Sequence, residues 1–212
     1  MTSDNPVVLV LDDDPAVGEA LSGLLLSAGL RSEIFTSPQE FLRHPRPAGP
    51  ACLILDVQLR ELNGLELQTE LAKGDPPLPV IFVTGHGTIP MSVRAMKRGA
   101  IEFLTKPFDA DDLLDAVRQA LDQDRLARDR LAGLSELQAR LGTLTPRERE
   151  VFWLVVTGQL NKQIAAALGC SEQTVKVHRG RVMRKLAAGS VADLVRLAER
   201  LRGGAGAPLQ PR

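Results

Sequence analysis

The chain has 212 residues, 44% of them hydrophobic and 25% charged, which excludes both a disordered chain and a membrane-embedded one. At roughly 100–200 residues per domain it makes one large domain or two small ones. Its 26 basic and 26 acidic side chains cancel only as a sum over unlike halves. Residues 1–120 hold 10 Lys/Arg against 17 Asp/Glu, residues 121–142 hold four of each, and residues 143–212 hold 12 against 5. The expectation is an acidic module joined to a basic one, the latter suited to a polyanion.

In chain order, Met1-Thr2-Ser3-Asp4 puts an acid where a signal peptide carries a positive region, so a cytoplasmic protein is expected. Short apolar runs then alternate with amphipathic segments. Val7–Asp12, Arg31–Phe35, Ala51–Asp56, Leu78–Thr84 and Glu102–Lys106 read as five strands. Three are nearly continuous apolar runs, as strands buried on both faces must be. Asp14-Pro15 and Ser37-Pro38 each read as a helix cap followed by proline at the first helical position. This alternation predicts an α/β, doubly wound, five-stranded parallel sheet of the flavodoxin-like kind over residues 5–121.

From Asp109 to about Gln138 the pattern is a last helix running into a charged linker, 122–142. Leu134, Leu137, Leu141 and Leu144 fall at 3–4–3 spacing, suited to pairing with another helix or to packing on their own domain. Residues 143–202 read as an all-α, four-helix unit. Thr145-Pro146-Arg147-Glu148 is a capping box, a second helix runs from about Asn161 to Leu168, Ser171 caps a third from Glu172 to about Ala187, and Ser190–Asp193 opens a fourth. The short turn Gly169-Cys170-Ser171 makes the middle pair a helix-turn-helix. The Gly/Pro-rich tail 203–212 reads as disordered. Cys52 and Cys170, far apart in apolar contexts, predict neither a disulfide nor a Cys-based metal site.

In an open parallel sheet the chemistry gathers beyond the carboxyl ends of the strands. Asp12, Asp13, Asp56, Thr84 and Lys106-Pro107 stand there. Three converging carboxylates call for a divalent cation, and oxygen-only donors favour Mg²⁺. A carboxylate beside such a metal can act as a nucleophile on phosphorus, with the Thr84 hydroxyl and the Lys106 ammonium suited to hold the transferred oxygens.

This set resembles the receiver domain of two-component response regulators, and the run Thr84–Phe108 resembles the FixJ-like subfamily. The resemblance implies that Asp56 accepts a phosphoryl group from a sensor histidine kinase. It implies Mg²⁺ ligation by Asp13, Asp56 and the backbone carbonyl of Gln58, with Asp12 acting partly through water. It also makes Thr84 and Phe103 the switch pair, and puts Gln58 and His86 where the family tunes dephosphorylation. One departure is visible: the loop after Asp56 reads Leu59-Arg60-Glu61-Leu62-Asn63-Gly64, without the proline that usually precedes its glycine.

Residues 143–200 resemble the LuxR-type helix-turn-helix, through Leu144–Val151, Asn161–Ala165 and Thr174–His178. Projected at 100° per residue, the third helix places Val175, Val182 and Leu186 on a core side. Lys176, Val177, Gly180, Arg181 and Arg184 fall opposite, a face for the major groove of double-stranded DNA. Lys162 and Thr174 complete the candidate contacts, whereas Arg179 projects toward the core edge. The resemblance implies a homodimer on phosphorylation, and RNA polymerase as a further partner. Two rival readings are a haloacid-dehalogenase-like phosphatase, with Asp12 as nucleophile, and a phosphorylation-independent transcription factor. The resemblance implies a regulator rather than an enzyme.

Overall fold

The computed structural model describes residues 5–60 and 62–204; most of the tail expected to be disordered lies outside them. The chain divides between Asp129 and Arg130 into two compact units.

The first unit is built from β1 (Val7–Leu11), α1 (Pro15–Ser27), β2 (Arg31–Phe35), α2 (Pro38–Arg43), β3 (Ala51–Leu55), α3 (Gly64–Leu71), β4 (Val80–Thr84), α4 (Ile89–Lys97), β5 (Glu102–Thr105) and the start of α5 (Ala110–Gly142). The strands form one parallel sheet in the order β2-β1-β3-β4-β5. Strand alternation sorts its apolar side chains into two cores. Val7, Leu9 and Leu11 of β1 face Phe41, Leu65, Leu67 and Ala95 of α2, α3 and α4. Val8 and Val10 face Leu21, Leu25, Leu113 and Val117 of α1 and α5. This is the doubly wound α/β sheet expected from the sequence.

The strands end slightly inside the expected bounds. β4 starts at Val80, since Pro79 has no N–H to give the ladder. The other ends differ by one residue, yet the ladder continues: Asp12 N–H donates to the Phe35 carbonyl at 3.2 Å, Asp56 N–H to Leu11 at 3.0 Å, and Lys106 N–H to Thr84 at 2.8 Å. Each polar side chain is thus carried on backbone that the sheet still holds. Asp14 caps α1 through its carboxylate, which accepts the Ala16 N–H, as expected; Ser37 precedes α2 without a side-chain cap bond.

α5 runs without interruption through Gly133 and crosses the division between units. Its register on the first unit is fixed by Asp124, fully buried, which accepts from Arg46 at 2.8 Å, Arg128 at 2.6 Å and the Ala51 N–H at 2.8 Å. A buried carboxylate is tolerable only when satisfied in this way.

The second unit continues with α6 (Pro146–Val156), α7 (Asn161–Leu168), α8 (Glu172–Lys185) and α9 (Val191–Gly204). Leu137, Leu141 and Leu144 are buried with Val151, Phe152, Ile164, Val175, Val182 and Leu186, and Leu134 packs against them. The leucine stripe therefore faces its own domain, and the end of α5 is part of that core. Cys52 is buried in the sheet, where burial pushes its thiol up so that it stays protonated, and both cysteines are free. No described helix is long and apolar enough to cross a membrane.

Candidate functional site

The parallel sheet sends the carboxyl ends of β1, β3, β4 and β5 to one edge, where Asp12, Asp56, Thr84 and Lys106 stand. The Lys106 ammonium lies between two carboxylates, 2.8 Å from Asp12 Oδ2 and 3.5 Å from Asp56 Oδ2. Asp12 is 3% exposed and its Oδ1 accepts the Asp14 N–H at 3.0 Å. The Asp56 Oδ1 accepts the Gln58 N–H at 3.0 Å, leaving Oδ2 toward the lysine. Thr84 is fully buried, and its hydroxyl oxygen accepts a long bond from His86 N–H at 3.4 Å. His86 itself is exposed at the rim. The Lys106-Pro107 peptide is cis.

Asp13 points elsewhere. Its Oδ2 accepts from Arg60 Nε at 3.0 Å, in the loop that lacks the proline. Among the described residues no three acidic, His or Cys side chains close into a metal-binding group, so the expected trio Asp12, Asp13 and Asp56 is not a ready-made cage. The reason is visible in the pairs: Asp12 and Asp56 are drawn to Lys106, and Asp13 to Arg60. The donor set still suits Mg²⁺. It consists of hard oxygens only, the three carboxylates outnumber the two cations that attend them, and Mg²⁺ keeps several waters rather than needing an all-protein shell.

The described residues of the loop after Asp56, which lacks that proline, are tied to the backbone around them. Gln58 and Asn63 form an antiparallel bridge, Gly64 N–H donates to the Val57 carbonyl at 2.9 Å, and Asn63 caps α3 through the Leu65 N–H. Gly64 is required here: a Cβ on it would lie 2.4 Å from the backbone oxygen of Asp56. Phe103, on β5, is half-buried, with its ring centroid 5.9 Å from that of Phe82.

In the second unit, α7 and α8 join through Gly169, whose φ of 61° is the left-handed turn that favours glycine, and Ser171, whose hydroxyl accepts the Thr174 N–H at 3.1 Å. The core side of α8 is as projected, with Val175, Val182 and Leu186 at 1% exposure or less. Lys176, Val177, Gly180, Arg181 and Arg184 are all exposed on its other side, and Lys162 is exposed in the first turn of α7. Nothing lies within 4 Å of a Cβ built on Gly180, so the helix has open space there. Thr174 is exposed but shares its hydroxyl with Ser171 at 2.8 Å. Arg179 donates to Asn161 Oδ1 at 2.6 Å, tying α8 to α7.

Sequence reasoning missed three long-range pairings: Arg60 with Asp13, Lys185 with Glu148, and Arg46 with Asp124. None has a local signature, because the partners lie 47, 37 and 78 residues apart.

Comparison with known proteins agrees with both units. Residues 8–118 match the response regulator receiver domain family, and residues 142–198 match the luxR family of bacterial regulatory proteins. The chain is 48% identical over 199 residues to Nodulation protein W of Bradyrhizobium diazoefficiens, covering 94% of this chain and 88% of that one. It is 38% identical over 193 residues to the transcriptional regulatory protein FixJ of the same organism, covering 91% and 94%. Among solved structures, that of the response regulator StyR superposes with a TM-score of 0.82 at 46% identity, over 92% of this chain and 99% of that one. With the receiver family matched over more than half the chain and full-length relatives well above 30% identity, the chain belongs to the two-component response regulators with a LuxR-type DNA-binding domain.

Proposed function

We propose that Asp56 accepts a phosphoryl group from a sensor histidine kinase, and that the phosphorylated chain pairs with a second copy to bind DNA and activate transcription. The reading is supported above all by the Lys106 ammonium, held 2.8 Å from Asp12 and 3.5 Å from Asp56 at the end of the sheet. An Asp56 carboxylate oxygen attacks the phosphorus, the bond to the donor histidine nitrogen breaks, and an acyl phosphate forms. Lys106 is placed to neutralise the oxygens as charge moves onto them. Asp13, Asp56 and the Gln58 carbonyl would hold Mg²⁺, with Asp12 acting through water. When bound, the ion neutralises phosphoryl charge. The same residues allow later hydrolysis, with Gln58 and His86 at the rim setting its pace.

Thr84 then turns its hydroxyl toward the phosphoryl oxygens and Phe103 follows inward, which changes the surface of α4 and β5. That surface already offers an apolar face: Ile89, Val93 and Met96 are 81%, 44% and 44% exposed at helical spacing on α4. A second copy covering it would bring two α8 helices to adjacent half-sites, where RNA polymerase is the further partner. A DNA-binding regulator of this kind acts in the cytoplasm.

Incubation with acetyl phosphate and Mg²⁺, followed by mass-spectrometric mapping, is expected to place the label on Asp56 and to give none in Asp56→Asn. Label on Asp12 would favour the phosphatase reading, and an unlabelled chain the phosphorylation-independent one. On the DNA side, Lys176→Ala is expected to weaken operator binding about tenfold and to lower the salt slope by about one. Unchanged affinity in a mobility-shift titration removes Lys176 from the interface.

A further inference from the structure

We propose that Arg60 is a built-in counter-ion of the metal site, holding Asp13 until Mg²⁺ displaces it and so setting the Mg²⁺ level at which the pocket becomes competent. This rests on the reading of Asp13 as a metal ligand given above.

Of the three pocket carboxylates, Asp13 is the most open, with its side chain 25% exposed against 4% for Asp12 and 12% for Asp56. It is therefore the carboxylate an incoming cation meets first. Its present partner is the Arg60 guanidinium, with Nε at 3.0 Å from Oδ2. Arg60 occupies the stretch of loop in which a proline, unable to pair with anything, is usual. Here Gln58 and Asn63 pair in an antiparallel bridge, and the position carries a charged side chain. The Arg60 side chain is 82% exposed, so it can swing away from Asp13 without unburying apolar surface.

Magnitude decides whether such a pair blocks the site or tunes it. An exposed ion pair changes an equilibrium constant by about two- to five-fold. A dication bound to two carboxylates outcompetes that readily, so Arg60 shifts the Mg²⁺ threshold rather than closing the pocket. The shift must shrink as salt screens the pair. Lys106 is the contrasting case: it sits deeper, between Asp12 and Asp56.

The test is calorimetric titration of MgCl₂ into the full, unphosphorylated chain at two ionic strengths. Arg60→Gln is expected to bind Mg²⁺ two- to five-fold more tightly than the native chain at low salt, with the gap narrowing at high salt. Arg60→Lys is expected to stay near native affinity. Lys73→Gln, which removes an exposed cation paired with Glu70, controls for net charge and is expected to change nothing. Equal or weaker binding by Arg60→Gln, or equal tightening by Lys73→Gln, overturns the proposal while the native chain still binds Mg²⁺ and takes label on Asp56. Failure of the native chain to bind Mg²⁺ or to take that label overturns the underlying reading as well.

Discussion

Replacing Glu148 with alanine is expected to cost the DNA-binding unit about 2–4 kcal/mol, about 1 for half of a capping box and the rest for a charge-assisted hydrogen bond. The Lys185 side chain left behind is one-third exposed and turns to water. Against a total of about 5–15 kcal/mol for a typical domain, the loss is a large fraction of the unit's stability. Glu148 is 2% exposed; its Oε2 accepts from Lys185 Nζ at 2.6 Å and from the Thr145 N–H at 2.9 Å. Lys185 also donates to the Thr143 carbonyl at 2.8 Å. The carboxylate therefore closes the capping box of α6 and ties it to the end of α8, the helix that presents the DNA face. The Lys185 hydrogen bond, followed by that from the Thr145 backbone, lowers its pKa to about 2 from an ordinary 4.5. Because the folded pKa lies below the unfolded one, this stability is fully present above pH 4.5 and is lost as the pH falls toward 2. Glu148→Gln keeps the shape and is expected to lose that part of the acid dependence. Trp153, the chain's one tryptophan, is packed in the core of this unit, and the chain has no tyrosine, so its fluorescence during urea unfolding reports on this unit. A Glu148→Ala midpoint indistinguishable from native would contradict the assignment.

Lys106→Ala is expected to slow acetyl-phosphate labelling of Asp56 by a factor on the order of 10²–10³, the usual cost of removing one donor that meets developing oxyanion charge. The loss is compounded before any chemistry, since Asp12 and Asp56 then face each other without the ammonium that both now contact. Lys106→Arg keeps the charge but replaces a compact ammonium with a planar fork, and is expected to recover only part of the rate. The side chain is partly exposed and lies outside both apolar cores of the sheet, so circular dichroism of Lys106→Ala is expected to stay native. Labelling at the native rate would place the lysine outside the transfer step.

The fold was legible wherever local physics decides it. Runs such as Val7–Leu11 and Ala51–Leu55 are apolar at every position because both faces of the sheet are covered, and at five residues each they are too short for a buried helix. The second helix of the DNA-binding unit was bounded correctly at Asn161 and Leu168, because Gly169 supplies the left-handed stop. The site was legible as residue types at strand ends, but not as pairings. Asp12 and Asp13 are neighbours in sequence, yet one belongs to Lys106 and the other to Arg60, on different loops. Glu148 read only as a capping residue, since the second half of its role depends on Lys185, 37 positions away. The leucines at 134, 137, 141 and 144 showed a stripe without naming its partner; the partner is the core of α6, α7 and α8.

The most direct test of the account is the affinity of the full chain for a DNA fragment, selected from genomic DNA by the phosphorylated protein, measured with and without acetyl phosphate and Mg²⁺. If phosphorylation of Asp56 governs the α8 face, treatment tightens binding of the native chain at least about tenfold, or about 1.4 kcal/mol. Asp56→Asn then shows the weaker affinity under both conditions. Equal affinity of the native chain in both conditions, or a response that survives in Asp56→Asn, would contradict it.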